Sequence, residues 1–93
     1  MIKSFRSKDT ANLFNGVRVA KWLRPIEKAA LRKLDMIDYA DAVEDLRSPP
    51  GNRLEALRGQ RQGQHSIRIN DQWRICFVWR DGSAEDVEIV DYH

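Results

Sequence analysis

The hydrophobic pattern of this chain changes its period at Ser48-Pro49-Pro50-Gly51. Before these residues the apolar side chains recur at helical spacing, and after them they alternate with polar ones, as in half-buried strands. Two prolines followed by a glycine also stop helical structure at this point. The change predicts an α+β fold in which helices come first and a small antiparallel sheet follows.

One helix dominates the prediction for the first half. Pro25 suits its first turn, and four apolar residues at helical spacing should face the core: Ile26, Ala30, Leu34 and Ile37. A short helix is expected to end near Asn15-Gly16, and a further helical turn is expected over Asp41–Leu46. Weak alternation over Met1–Arg6 predicts a first strand.

Four strands are predicted for the second half, in the order Asn52–Leu57, Gln64–Ile69, Trp73–Arg80 and Ala84–Val90. A three-residue loop, Asn70-Asp71-Gln72, places every bulky side chain of the second and third strands on one side, and this decides the register. The same register puts Arg68 opposite Arg74. Like charges directly across a sheet destabilise it, so either nearby carboxylates or an anionic ligand must balance the pair.

Length and composition limit the kind of protein. The chain has 93 residues, of which 42% are hydrophobic and 32% charged, and this predicts a single globular domain spanning residues 1–93. No apolar run approaches the ~18 residues of a membrane helix, and no secretory signal is recognisable at the start. With Cys76 as the single cysteine, a reducing, cytoplasmic setting is expected. Neither a metal-ligand motif nor a cofactor motif is present, so none is expected.

Charge is distributed unevenly along the chain. The net charge is only +2, but residues 47–80 hold seven arginines and two acids, and residues 81–93 hold five acids and no base. Arginine binds phosphate through two parallel hydrogen bonds, which favours a phosphate-binding surface over a merely solvated basic face. The candidate phosphate-binding residues are Arg53, Arg58, Arg61, Arg68 and Arg74.

Few side chains are available for acid–base chemistry. His65 alternates with Ile67 on an apolar face, and Cys76 lies inside a strand, so both are interpreted as packing residues. RNA cleavage suits what remains, because the 2′-hydroxyl of the RNA is itself the nucleophile. Arginines would stabilise the charged phosphorane, and the candidates for base and acid are His93, Tyr92 and Glu55.

Three blocks of the sequence resemble HigB-type toxins of the RelE/ParE superfamily: PPGNRLEALRG at 49–59, GQHSIRINDQWRICF at 63–77 and VEIVDYH at 87–93. The start MIKSF also fits, and the resemblance weakens over residues 6–47. It implies a RelE-like fold, with two or three N-terminal helices packed on one side of the sheet. It further implies the toxin of a type II toxin–antitoxin pair that cuts mRNA in the translating ribosome. The implied partner is a HigA-type helix-turn-helix antitoxin, through which alone the toxin would reach operator DNA.

The resemblance also assigns site residues. Arg58 and Arg74 match the family's phosphate-handling cations, and Asp91, Tyr92 and His93 match its functional C-terminal tripeptide. Some HigB toxins carry a histidine at the position of Glu55, whose carboxyl is a weak base at neutral pH, so the choice of general base stays open.

Two other functions remain as alternatives. A ParE-like inhibitor of DNA gyrase would share the fold without cleaving RNA, and a non-catalytic RNA-binding module would use the basic block for affinity alone. A protein partner is expected in every case, and Trp22 is the candidate contact for it.

Overall fold

The structure is a computed structural model that describes residues 1–92. Two α-helices, α1 (Lys8–Phe14) and α2 (Glu27–Tyr39), precede four antiparallel strands: β1 (Glu55–Ala56), β2 (Gln64–Arg68), β3 (Trp73–Arg80) and β4 (Ser83–Asp91). The strands lie side by side in chain order. Short 3₁₀ helices occupy Lys21–Ile26, Val43–Arg47, Pro50–Asn52 and Gly59–Arg61. The predicted α+β class with a small antiparallel sheet is confirmed.

The predicted register of the β2–β3 hairpin is also confirmed. Ile67 pairs with Ile75, Ser66 with Cys76, and Arg68 with Arg74. Within the three-residue loop, Asn70 Oδ1 accepts hydrogen bonds from the backbone N–H groups of Gln72 and Trp73, both at 2.9 Å. The loop is therefore stabilised by its own first residue, as Asn commonly does in turns.

One face of the sheet packs against the helices and forms the core. The predicted helical stripe of Ile26, Ala30, Leu34 and Ile37 is buried there. It meets a buried set from the three long strands: Ile67, Ile75, Phe77, Val87 and Ile89. Thr10 of α1 fixes the helix to the sheet, because its buried hydroxyl accepts a hydrogen bond from the Ile89 N–H at 3.1 Å.

The prediction of a strand over Met1–Arg6 is wrong. This segment makes only two isolated parallel bridges to β4, Ile2 to Ala84 and Phe5 to Val87. Between these bridges β4 is irregular, since Asp86 has a φ of 53° and the β3–β4 register shifts between Cys76 and Val78. Such a bulge bends the strand locally, which explains why the pairing is interrupted.

The prediction of a strand over Asn52–Leu57 is right only for Glu55–Ala56. Pro50–Asn52 is a 3₁₀ turn, and Arg53 then adopts the left-handed conformation with φ 45° and ψ 56°. Among residues 1–92, no helix has the length and apolar composition needed to cross a membrane.

Candidate active site on the open face of the sheet

The sheet face turned away from the helices carries Ser66, Arg74, Cys76 and Glu88, and we call it the open face. Strand alternation places these residues there, because Ser66 pairs with Cys76, and Cys76 with Glu88. Three of the four are buried although no helix covers them. The cover comes from the irregular segment between Arg53 and Gly63, which contributes Arg61 and Glu55.

Arg74 is the central residue of this face. It is only 6% exposed, and its Nε donates to Ser66 Oγ at 2.8 Å. Its Nη2 donates to the backbone carbonyls of Arg53, at 2.6 Å, and Ser66, at 3.3 Å. A buried charge is expensive unless it is paired or hydrogen-bonded, and here mainly neutral acceptors satisfy it. The guanidinium is thus held in one orientation by acceptors that carry no opposite charge.

The second terminal nitrogen of Arg74 remains available to a ligand. None of the described residues accepts a hydrogen bond from Nη1. The nearest carboxylate is that of Glu55, with Oε1 3.8 Å from Nη2 and a side chain half exposed. At that distance the ion pair is loose and partly solvated, so an incoming phosphate can compete for the guanidinium.

Tyr92 completes the arrangement around Arg74. The guanidinium carbon of Arg74 lies 5.3 Å from the centroid of the Tyr92 ring, a cation–π contact. The backbone N–H of Tyr92 donates to the carbonyl of Gln72 at 2.7 Å, which fixes the chain beyond β4. Arg74, Tyr92 and Glu55, all predicted site residues, are therefore brought together.

Asp91 and His93 were predicted alongside Tyr92. Asp91 pairs with Trp73, and strand alternation assigns it to the face opposite Tyr92. Its Oδ2 accepts a hydrogen bond from Gln72 Nε2 at 3.1 Å, at the end of the hairpin. His93 lies outside the described residues, so its predicted role stays a prediction.

The repulsion expected between Arg68 and Arg74 is avoided because the two side chains find separate partners. Arg68 forms an ion pair with the almost fully exposed Asp71 of the hairpin loop. Arg74 instead hydrogen-bonds to Ser66 and approaches Glu55. A nearby carboxylate, one of the two explanations left open by the sequence, thus balances the charge of Arg68. Because this ion pair is exposed, it contributes little to stability.

Arg61 is more firmly paired than the other predicted arginines. Its Nη1 donates to Glu88 Oε1 at 2.9 Å and to Gln64 Oε1 at 3.1 Å. The hydrogen bond to Glu88 raises the pKa of Arg61, with burial acting in the opposite direction. Arg61 therefore covers the open face mainly as half of an ion pair. Arg58, which immediately precedes the 3₁₀ helix Gly59–Arg61, is exposed and forms no ion pair with the described residues.

Asn52 holds the irregular segment in place. It is fully buried, and its Nδ2 donates to the carbonyls of Leu46, at 3.2 Å, and Ser48, at 3.4 Å. Its Oδ1 accepts from Lys33 Nζ at 2.5 Å, and burial lowers the pKa of this lysine. The next residue is Arg53, whose left-handed backbone turns its carbonyl toward Arg74.

Two residues of the site, Ser66 and Asn52, were missed by sequence reasoning. For Ser66 the signal was present, because the confirmed register places it next to Arg74 on the same face. For Asn52 the local sequence gave only a turn-forming residue after Pro-Pro-Gly. Its partners lie on α2 and on the preceding turn, which no local pattern identifies.

The remaining sequence interpretations concern Cys76, His65 and Trp22. Cys76 is fully buried, and desolvation raises the pKa of its thiol, in agreement with a packing role. His65 stacks on Phe77 with ring centroids 6.2 Å apart. Trp22 is 40% exposed, packs against Trp73 and donates its Nε1–H to Asp9 at 2.7 Å.

The same arrangement of helices and strands occurs in solved toxin structures. The YoeB-YefM complex from Staphylococcus aureus contains a chain that matches all of this one, with a TM-score of 0.59, 17% identity and 98% of that chain covered. A second structure, of the heterotetrameric YoeB-YefM toxin-antitoxin complex of the same organism, matches with a TM-score of 0.57, 15% identity and 98% coverage. The chain therefore shares the fold of these two matched chains.

Sequence similarity narrows this class. Residues 3–93 match the family of RelE-like toxins of the type II toxin–antitoxin system HigB, and the chain belongs to that family. Toxin HigB-1 of Vibrio cholerae is 54% identical over 59 residues, 63% of this chain and 62% of that protein. This match spans less than two thirds of the relative's length. Endoribonuclease HigB of Proteus vulgaris is 34% identical over 94 residues, the full length of both chains.

Proposed function

We propose that this protein is the toxin of a type II toxin–antitoxin pair and acts as a ribosome-dependent endoribonuclease on translated mRNA. Membership of the HigB-like family supports the toxin role. The full-length similarity to a protein named Endoribonuclease HigB supports the reaction. The observation that carries the proposal is the buried guanidinium of Arg74, fixed by Ser66 and Arg53 and still able to bind an anion through Nη1.

The proposed reaction uses the RNA's own 2′-hydroxyl and needs no metal ion. The 2′-oxygen attacks the adjacent phosphorus, the bond from phosphorus to the 5′-oxygen breaks, and the products carry a 2′,3′-cyclic phosphate and a 5′-hydroxyl. One proton leaves the 2′-hydroxyl for a base, and one reaches the leaving 5′-oxygen from an acid. Negative charge gathers on the phosphoryl oxygens in between, where a fixed cation is most effective.

Arg74 is assigned to the phosphoryl oxygens, because its orientation is set before the substrate arrives and no reorganisation is needed. Glu55 and Tyr92 are the described candidates for proton transfer, and both lie beside Arg74. The family resemblance adds His93 to these candidates. Arg53, Arg58, Arg61 and Arg68 are proposed to bind RNA phosphates around the site. The partner is proposed to be a HigA-type antitoxin in the cytoplasm, with operator DNA contacted only through it.

The test is to add the purified chain to a translating extract and to map the 5′ ends of a reporter mRNA. We expect new ends with a 5′-hydroxyl, produced only while ribosomes translate. A 2′-O-methyl group at the cleaved ribose should block cleavage, since it removes the nucleophile. Arg74→Lys keeps the charge, but its single nitrogen cannot replace both the hydrogen bonds to Ser66 and Arg53 and the contact to phosphate, so it should slow cleavage by about 10²-fold or more.

Arg80→Lys is the matched control, because Arg80 is exposed, pairs with Glu85 at 3.3 Å and lies at the opposite end of β3 from Arg74. It should cleave like the wild type. Growth arrest with intact mRNA and a DNA-damage response would instead identify a gyrase inhibitor. RNA binding without any new 5′ ends would identify a non-catalytic module.

A further inference from the structure

A second concave site lies on the other side of β1 from Arg74. It is a cavity of about 450 Å³, within the range of small-molecule sites. It is lined by Val43, Glu44, Arg47, Pro50, Arg53, Leu54, Ala56 and His65. The contacts that hold Arg74 in place do not account for this cavity.

His65 contributes part of the lining of the cavity. The residue is partly buried, and its ring stacks on Phe77 with the two centroids 6.2 Å apart. Its Nδ1 is buried and has no hydrogen-bond partner among residues 1–92, so this atom does not face the open cavity. A flat group in the cavity can therefore contact the accessible part of His65 but not Nδ1.

The charges of the lining favour an anionic ligand. Arg47 and Arg53 are exposed, and neither forms an ion pair with a described carboxylate. Glu44 is the single acid of the lining, so the net charge of the cavity wall is positive. The remaining wall is apolar and includes Val43 and Leu54. Apolar walls, a partly buried imidazole and two guanidinium groups that form no ion pair within residues 1–92 together fit a nucleotide, whose base is flat and whose phosphate is anionic.

The cavity adjoins the candidate active site across β1. Glu55 pairs with Ser66 and lies 3.8 Å from Arg74, whereas Ala56 pairs with His65 and lines the cavity. Arg53 belongs to both, because its carbonyl accepts a hydrogen bond from Arg74 and it also lines the cavity. Only the two-residue edge strand β1 separates the two sites. This position beside the proposed cleavage site favours RNA over an acidic peptide as the ligand.

We propose that the cavity beside β1 binds a nucleotide next to the cleaved one, with its base against His65 and its phosphate at Arg47 and Arg53. The proposal rests on the proposed nuclease function and adds a subsite to it. Such a subsite would hold the RNA strand on both sides of β1, and would make cleavage depend on the identity of a neighbouring base.

The probe is a hexanucleotide RNA whose riboses all carry 2′-O-methyl groups, so that it binds without being cleaved. We expect its addition to shift the NMR signals of the His65 ring and of the Ala56 methyl group. Arg47→Glu should weaken binding about tenfold, because it reverses a charge beside a phosphate. Arg32→Glu makes the same charge change on exposed α2, away from the cavity, and should weaken binding less than about twofold.

A second variant tests the cavity without changing charge. Ala56→Phe fills the space from its rim and should remove the His65 shift. If this variant and Arg47→Glu bind RNA as Arg32→Glu does, or if an oligoglutamate peptide and not RNA shifts His65, the subsite is refuted. The mRNA-cleavage assay distinguishes failure of the subsite from failure of the nuclease function. If the wild type cleaves mRNA but the His65 signals do not shift, only the subsite is refuted. If the wild type never cleaves mRNA, both proposals are refuted.

Discussion

Two regions build the open face by different means. The β2–β3–β4 sheet positions Arg74 through long antiparallel ladders, in which many residue pairs share the support of the backbone. The segment from Arg47 to Gly63 positions Arg53, Glu55 and Arg61 through short 3₁₀ turns and a two-residue strand. The ladders are redundant, whereas the segment depends on a few side chains. Single substitutions in the segment should therefore change the site more than most substitutions in the sheet.

The largest effect is expected for Asn52→Ala. The change removes the buried amide, leaving the Leu46 and Ser48 carbonyls and the Lys33 ammonium without their partner. We expect a loss of about 2–4 kcal/mol in the free energy of unfolding, measured with urea. Asn15→Ala, at an exposed position, is the control and should cost less than about 1 kcal/mol. Equal losses in the two variants would contradict the role given to Asn52.

Ser66→Ala tests the contribution of the sheet to the site. It leaves the buried Arg74 Nε without its acceptor, which should cost about 1–3 kcal/mol in unfolding free energy. The rate of mRNA cleavage should fall by more than the loss of stability explains, because Arg74 loses its fixed orientation. Ser83→Ala is the matched control, since Ser83 is also buried, with 6% exposure, but its hydroxyl bonds to no described residue. If Ser83→Ala reduces cleavage as strongly, Ser66 has no specific effect on Arg74.

At Arg53 the backbone can be tested separately from the side chain. Both Arg53→Gly and Arg53→Val delete the guanidinium, but only glycine adopts the left-handed conformation without strain. We expect the free energy of unfolding of the valine variant to be about 1–2 kcal/mol lower than that of the glycine variant. The glycine variant should also retain more cleavage activity, because its carbonyl still reaches Arg74. Indistinguishable variants would show that this backbone conformation does not matter.

The smallest effect is expected for Cys76→Ala, which should cost about 1 kcal/mol at neutral pH through lost packing. Burial raises the pKa of the Cys76 thiol above its ordinary value of 9.0. Above that pH the unfolded chain loses the proton while the folded chain keeps it, so the contribution of the thiol to stability falls as pH rises. The difference in stability between wild type and variant should therefore narrow on going from neutral to alkaline pH. A constant difference would contradict the raised pKa.

These two regions also differ in how far the sequence predicts them. The β2–β3 hairpin was predicted residue by residue, because alternation fixes which face each side chain takes and Asn70 favours the turn. The neighbourhood of Arg74 and Arg68 followed from that register alone. Predictions failed where the backbone depends on distant partners, as at Asn52, whose ammonium partner Lys33 is 19 residues earlier in the chain. The strand prediction for residues 1–6 failed for the same reason, because the pairing of this segment depends on a bulge in β4.

The attachment of the first residues to β4 has a consequence during synthesis. The hydroxyl of Ser4 accepts a hydrogen bond from the N–H of Asp86, 82 positions later. Since β4 follows all the other helices and strands described here, the first residues wait for their partner until the rest of the sheet has left the ribosome. Until then Arg74 also lacks the Tyr92 ring beside it. The open face is therefore complete only after β4 and Tyr92 have been made.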